Sequence, residues 1–149
     1  MEPHYFNIDL SWNKDRKGKI SSPELQDEFE VATPPPFPKG IEWIWSPEHL
    51  FTAAVSSCFM TTFLAIAENS KLEYVSFSCP AKGKLEQIDG KFLMTEVLLE
   101  PVLTISKEED KERAERVLQK AEKACLITNS IKSETRMIPK ILINKEKVI

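Results

Sequence analysis

The chain has 149 residues, of which 42% are hydrophobic and 29% are charged. This length and composition predict one ordered domain over residues 1–149 and exclude a disordered chain. The net charge of −3 and the pI near 5.5 provide no positive field for a phosphate backbone, so no nucleic acid partner is expected.

The sequence also gives expectations about location and cofactors. No segment approaches the ~18 apolar residues that a spanning helix needs, so no membrane association is expected. The first ten residues lack the basic and apolar regions of a signal peptide, which predicts a cytoplasmic protein. No C-x-x-C or H-x-x-x-H spacing offers a metal site, and no cofactor is predicted. Since the chain has only two histidines, its three thiols are the most reactive groups available.

The N-terminal third reads as short strands. Alternating apolar and polar residues over His4–Trp12 predict a half-buried strand. Two further strands are predicted near Gly18–Ser22 and Asp27–Thr33, and together the three suggest an antiparallel meander. The prolines of Thr33–Gly40 exclude a sheet interior and predict a stiff surface connection.

A long helix is predicted from about Pro47 to Glu68. Ser46 is a good N-cap, Pro47 fits the first helical position, and Glu48 complements the helix dipole. No charged residue lies between His49 and Glu68, and the segment is apolar on nearly every side, which is typical of a helix buried all round. Because a chain of this length has limited material to surround it, we expect a second subunit to cover part of it.

The next segment predicts a long hairpin. Alternation over Tyr74–Leu85 and Lys91–Leu99 indicates two strands. The Asp89-Gly90 pair between them tolerates the positive φ of a type I′ turn.

The C-terminal third predicts a helix and a strand. The capping-box pattern that starts at Ser106 opens a helix to about Ile127, which Asn129 would end in a left-handed conformation. Thr135–Asn144 reads as a final strand despite its proline. Hairpin-paired strands with helices between them indicate an α+β fold.

The three thiols are each typical of core packing when taken alone. Cys58 lies in the middle of the first helix, Cys125 on the inner face of the second, and Cys79 on the inner side of a strand. Burial raises the pKa of a thiol and makes it inert. A reactive Cys58 therefore needs a nearby cation, which its own helix does not supply.

Four short motifs together carry a family resemblance: Ser-Pro-Glu-x-Leu at 46–50, Ser-Cys-Phe at 57–59, Gly-Lys-Leu-Glu at 83–86 and Ala-Cys-x-x-Thr-Asn-Ser at 124–130. In this order and spacing they resemble the OsmC/Ohr family of organic hydroperoxide reductases, over roughly residues 5–145. The resemblance implies an intertwined homodimer in which curved antiparallel sheets surround buried central helices. It also implies two thiol-dependent peroxidase sites at the subunit interface.

The same resemblance implies roles for four residues. Cys58 resembles the peroxidatic cysteine and Cys125 the resolving one. Arg16 matches an arginine that would favour the Cys58 thiolate, and Glu48 matches a glutamate that would orient the guanidinium. The implied substrate is an organic hydroperoxide, and an external dithiol, such as that of a lipoylated protein, would reduce the Cys58-Cys125 disulfide. Ten helix residues, about 15 Å of rise, separate Glu48 from Cys58, so we expect each site to combine Glu48 of one subunit with Cys58 of the other.

Two other functions compete with the peroxidase. The same dimer would serve as a binding module if it held an apolar small molecule and its thiols only packed. A hydrolase with Cys58 as an acyl-transfer nucleophile is disfavoured, since its only available base, His49, lies about 13 Å away along the helix.

Overall fold

A computed structural model of the chain describes residues 1–144, so residues 145–149 of the predicted domain lie outside the described residues. The contacts divide the chain into two compact units, Met1–Leu50 and a second that begins at Phe51. Residues 1–144 form nine strands and three helices: β1 (Asp9–Lys14), β2 (Lys17–Ser21), β3 (Phe29–Ala32), α1 (Pro47–Asn69), β4 (Ser76–Ser78), β5 (Ala81–Ile88), β6 (Lys91–Leu99), β7 (Val102–Ile105), α2 (Lys111–Ala124), α3 (Leu126–Ser130), β8 (Glu134–Met137) and β9 (Lys140–Ile143). The fold is α+β, as predicted.

The first unit contains the predicted antiparallel meander, with strand order β1-β2-β3. The prediction of a half-buried first strand is wrong for the single chain. The strand begins at Asp9 rather than His4, and four alternate apolar side chains are 62% to 86% exposed: Phe6, Ile8, Leu10 and Trp12. Alternation identifies the side of the strand suited to burial, but residues 1–144 of one chain do not cover that side.

The proline-rich connection and the helix start agree with the sequence. Thr33–Gly40 contains turns and no strand, and the Ile41 amide donates to the Thr33 carbonyl at 2.9 Å. Ser46 is fully buried and its Oγ accepts a hydrogen bond from the His49 amide at 3.1 Å. The predicted N-cap of α1 is therefore confirmed.

Helix α1 is buried along one stripe rather than all round, which corrects the prediction. Its buried side chains recur every fourth residue: Val55, Phe59, Phe63 and Ala67. The Phe77 ring of β4 stacks on Phe63 at a centroid distance of 4.4 Å and lies 6.2 Å from Phe59. Met60 and Leu64, off this stripe, remain more than a third exposed because nothing in the described part of the chain covers them.

By length and composition, α1 would also be able to cross a membrane. Ser and Thr interrupt its apolar residues, so α1 has no run of ~18 apolar residues, but its mean hydropathy of 1.8 meets the criterion for a span. Core helices of soluble proteins meet the same criterion, so it is weak evidence for a span.

The second unit contains two three-stranded sheets, β5-β6-β8 and β4-β7-β9, within the described residues. Three short crossings join a strand of one sheet directly to a strand of the other, and each contains a proline: Pro80, Pro101 and Pro139; a fourth passage, from β7 to β8, runs through α2 and α3. Backbone hydrogen bonds link neighbouring crossings, from the Glu100 amide to the Pro80 carbonyl at 2.9 Å and from the Lys140 amide to the Pro101 carbonyl at 2.8 Å. The prolines therefore align where both ladders stop, because proline has no amide hydrogen to donate.

These crossings correct two strand predictions. The single strand predicted over Tyr74–Leu85 is divided into β4 and β5, and Thr135–Asn144 is divided into β8 and β9. Strand β7 was not predicted. The sheets are also not wholly antiparallel, since β6 with β8 and β7 with β9 pair in parallel. The predicted hairpin turn is confirmed, with φ of 50° at Asp89 and 80° at Gly90.

The second helix differs from the prediction at both ends. No capping box forms, because Lys107 is extended and a 3₁₀ turn, Glu108–Asp110, precedes α2, which begins at Lys111. The helix ends at Ala124 instead of Ile127. The predicted inner stripe is buried, as expected, and comprises Ala114, Val117, Leu118, Ala121 and Cys125.

Candidate active site

Cys58 lies near the middle of α1 and is half-buried. Its Sγ is 4.0 Å from the Oγ1 of Thr62, one helical turn further along the chain. Its position one residue before buried Phe59 places it beside the core stripe, where part of its surface remains open to solvent.

Cys125 occupies the break between α2 and α3. It is 1% exposed and has an extended backbone, with φ of −63° and ψ of 114°, between two helical residues. Asn129, which was expected to end the helix in a left-handed conformation, lies inside α3 instead. Its side-chain amide donates to the Lys123 carbonyl at 3.1 Å, and its backbone amide donates to the Cys125 carbonyl at 3.1 Å. Asn129 thus satisfies one carbonyl in the last turn of α2 and the carbonyl of the break residue itself.

The break at Cys125 brings hydrogen-bond donors to Cys58. Desolvation acts to raise the pKa of the Cys58 thiol, but hydrogen bonds from the Ile127 amide, the Cys125 thiol, the Thr62 hydroxyl and the Leu126 amide outweigh it. The pKa of Cys58 consequently lies below its ordinary value. The two amides belong to the first turn of α3, where backbone N–H groups have no partner within the helix.

Cys125 has the opposite tendency. Burial raises the pKa of its thiol, and the neighbouring Cys58 raises it further, while the side chain and amide of Thr128 act in the other direction. The pair is thus asymmetric, with a pKa below the ordinary value at Cys58 and above it at Cys125. The structure brings these two predicted residues together.

Cys79 is separate from this pair. It lies at the crossing between β4 and β5, and desolvation raises its pKa to about 11, a rise that a hydrogen bond from the Glu100 backbone only partly offsets. A thiol with such a pKa is almost entirely protonated at neutral pH, as the packing interpretation of Cys79 predicts.

Arg16 and Glu48 line one cavity in the first unit. Its volume is about 360 Å³, and its lining includes the apolar side chains of Leu10, Trp12, Val31 and Phe37. Arg16 is exposed and follows Asp15, whose φ of 52° makes the tight turn between β1 and β2. Glu48 is half-buried in the first turn of α1.

His49, the base considered for a hydrolase, has a structural role. The Nδ1 of His49 is 2.7 Å from the Ser46 Oγ, so this ring belongs to the N-terminal cap of α1.

Among residues 1–144, no three or more His, Cys, Asp or Glu side chains are grouped so that they would hold a metal ion.

Three groups around Cys58 were not predicted from the sequence: the amides of Leu126 and Ile127 and the hydroxyl of Thr62. The i to i+4 spacing of Cys58 and Thr62 was a signal for the hydroxyl. The amides gave no signal, because the helix was predicted to continue through residues 126 and 127.

The chain is similar to known proteins in sequence and in fold. Residues 40–140 match the profile of the OsmC-like protein family. The chain is 22% identical over 142 residues to the protein YmaD of Bacillus subtilis, covering 92% of this chain and 93% of that protein.

Solved structures show the same fold. An OsmC-like protein of unknown function from Vibrio cholerae superposes with a TM-score of 0.78 at 25% identity, covering 92% of this chain and 99% of that one. An organic hydroperoxide resistance protein from Elizabethkingia anophelis gives a TM-score of 0.76 at 23% identity, over 96% and 99%. The organic hydroperoxide resistance protein OhrB of Bacillus subtilis gives 0.67 at 19% identity, over 93% and 98%. With two thirds of its length matched by the family profile and its fold shared with these structures, the chain belongs to the OsmC-like family.

Proposed function

We propose that this protein is a thiol-dependent peroxidase that reduces organic hydroperoxides to alcohols. The observation that carries the proposal is the pairing of Cys58, whose pKa is lowered, with Cys125, whose pKa is raised. The first property suits a nucleophile, and the second suits a thiol that must wait for its partner to be oxidised. Two structural relatives with the same fold are named organic hydroperoxide resistance proteins, which supports the choice of substrate.

The proposed reaction has two steps. The Cys58 thiolate attacks one oxygen of R-O-O-H, so that an S–O bond forms, the O–O bond breaks and the alkoxide takes a proton to leave as alcohol. Cys58 is then a sulfenic acid. Cys125 attacks this sulfur, the S–O bond breaks, and hydroxide leaves as water with the proton of the Cys125 thiol. An external dithiol reduces the resulting disulfide, and a lipoylated protein is one candidate of this class.

Arg16 and Glu48 are proposed to complete the site. A guanidinium remains charged at every working pH, so Arg16 would stabilise the thiolate and the charge that develops on the leaving oxygen. Glu48 would orient that guanidinium. Both line the same cavity, whose apolar walls suit the organic part of a hydroperoxide.

The proposed site requires a homodimer. The exposed apolar side chains of the first unit, Phe6, Ile8, Leu10 and Trp12, support one, because such surfaces usually mark an interface. Ten residues of α1 separate Glu48 from Cys58, so we propose that each site combines Glu48 of one subunit with Cys58 of the other.

One alternative has an observation in its favour. The cavity beside Arg16 is large enough for a small apolar ligand, so the dimer would bind such a molecule without peroxidase activity if the thiols only packed. The hydrolase has no comparable support, since the His49 ring is engaged with Ser46.

Disulfide mapping tests the proposal. Reduced protein is treated with one equivalent of cumene hydroperoxide and then digested without reduction for mass spectrometry. We expect a Cys58-Cys125 disulfide and a free Cys79. Cumene hydroperoxide should also react faster than hydrogen peroxide, because each buried methylene of an organic substrate adds about 0.8 kcal/mol to its binding free energy. A Cys79→Ser variant is the matched control and should give the same disulfide. Thiols that remain unchanged would favour the binding module.

A further inference from the structure

The hydroxyl side chains in the middle of α1 fall into two groups. Ser56 and Ser57 hydrogen-bond to the Ala53 carbonyl at 3.3 and 2.7 Å, and Thr61 donates to the Cys58 carbonyl at 3.0 Å. Ser and Thr side chains inside helices usually donate a hydrogen bond in this way to a carbonyl of the preceding turn. Thr62 differs, since its Oγ1 approaches the Cys58 sulfur at 4.0 Å.

The helix fixes this contact. Residues four apart on a helix are neighbours on one face, and the β-branched side chain of Thr62 has few rotamers available. Thr62 is half-buried, so its hydroxyl is partly shielded from water that would compete for the sulfur. A thiolate accepts hydrogen bonds only, which makes the hydroxyl the donor once Cys58 is ionised.

We propose that Thr62 is a positioning residue that donates a hydrogen bond to the Cys58 thiolate and holds its sulfur in place. It forms and breaks no covalent bond and acts only through Cys58. Its contribution to the lowered pKa of Cys58, smaller than those of the Ile127 amide and the Cys125 thiol, is consistent with this role. For its catalytic meaning the inference rests on the proposed function, in which this thiolate is the nucleophile.

Two neighbouring threonines allow a matched experiment. Thr62→Val removes the hydroxyl and keeps the shape, Thr62→Ser keeps the hydroxyl, and Thr61→Val removes a hydroxyl that serves only the backbone. In each full-length variant, the iodoacetamide alkylation rate of Cys58 is measured from pH 5 to pH 10, with the site identified by mass spectrometry. Peroxide reactivity is measured separately with cumene hydroperoxide.

We expect Thr62→Val to alkylate about threefold to tenfold more slowly at pH 7, which corresponds to the loss of one hydrogen bond of ordinary net strength, with the midpoint of its profile moved to higher pH. Thr62→Ser should restore the wild-type profile, and Thr61→Val should not alter it. The inference is overturned if the Thr62→Val profile matches the wild-type profile, or if Thr61→Val moves the midpoint of its profile as far as Thr62→Val does. A shifted Thr62→Val profile in a protein that does not react with hydroperoxide would uphold the role of Thr62 and refute the proposed function.

Discussion

Cys58 and Cys79 are both half-buried, yet the donors around them differ. At Cys79 desolvation dominates and raises the pKa to about 11, whereas at Cys58 amide, thiol and hydroxyl donors outweigh desolvation. The partial exposure of a cysteine therefore says less about its reactivity than the number of hydrogen bonds its thiolate accepts.

This difference predicts the order in which the thiols are alkylated. A lowered pKa means that thiolate is present at lower pH. Cys58 should therefore react with iodoacetamide before the other thiols, and at a pH below the range in which cysteines usually react. Cys79 should become reactive only as the pH approaches 11. Peptide mass spectrometry across a pH series measures both in the same sample. Faster alkylation of Cys79 than of Cys58 at pH 7 would contradict the pKa directions.

At the scale of elements, the sequence predicted features that depend on local signals. The N-cap at Ser46 and the Asp89-Gly90 turn are encoded within a few residues and were predicted correctly. The crossings at Pro80 and Pro139 were not, because alternation continues through each proline while the strand changes sheets. The pairing of Cys58 with Cys125 followed from the family resemblance. The amides beside it depend on the backbone break at Cys125, which has no local signal.

Strand β5 passes close to α1 at Gly83, which gives a prediction for this contact. A Cβ on residue 83 would overlap the Thr52 side chain of α1 and lie 2.8 Å from the Met94 Cε. Gly83→Ala should therefore lower the free energy of unfolding by about 1–3 kcal/mol, the usual cost of overpacking. Urea denaturation measures it, and Lys82→Ala, a change at an exposed position of the same strand, should have little effect.

The overlap with Thr52 makes this prediction specific. Combining Gly83→Ala with Thr52→Ala should cost less than the two single changes added together, since the smaller side chain makes room for the new methyl group. Strictly additive effects would show that the close approach of the helix and the strand is not the cause.

At the scale of the whole molecule, the sequence predicts burial for two surfaces that are exposed in the single chain. The alternation before Trp12 and the apolar character of α1 both predicted burial, whereas Leu10, Trp12 and Met60 are exposed in the single chain. These patterns are satisfied together if a second subunit covers both surfaces, as the proposed homodimer requires. In the proposed homodimer, these local sequence signals would encode contacts between the two subunits.

The composite site predicts how mixed dimers behave. If each site takes Glu48 from one subunit and Cys58 from the other, then in a dimer of a Glu48→Ala chain and a Cys58→Ser chain both defects fall in one site. The second site is intact, so about half of the wild-type activity should return, although each parent homodimer is impaired. Differently tagged chains allow the mixed dimer to be purified and assayed with cumene hydroperoxide.

A second mixed dimer is the reciprocal control. One chain carries both Glu48→Ala and Cys58→Ser, and its partner is wild type. In a composite arrangement each site then has one defect and activity is lost, whereas sites made within one chain would leave one intact and keep about half. Because Arg16 lines the same cavity as Glu48, an Arg16→Ala chain should behave like the Glu48→Ala chain in both tests. Activity in the second dimer and none in the first would assign Glu48 and Cys58 to the same subunit and refute the composite site.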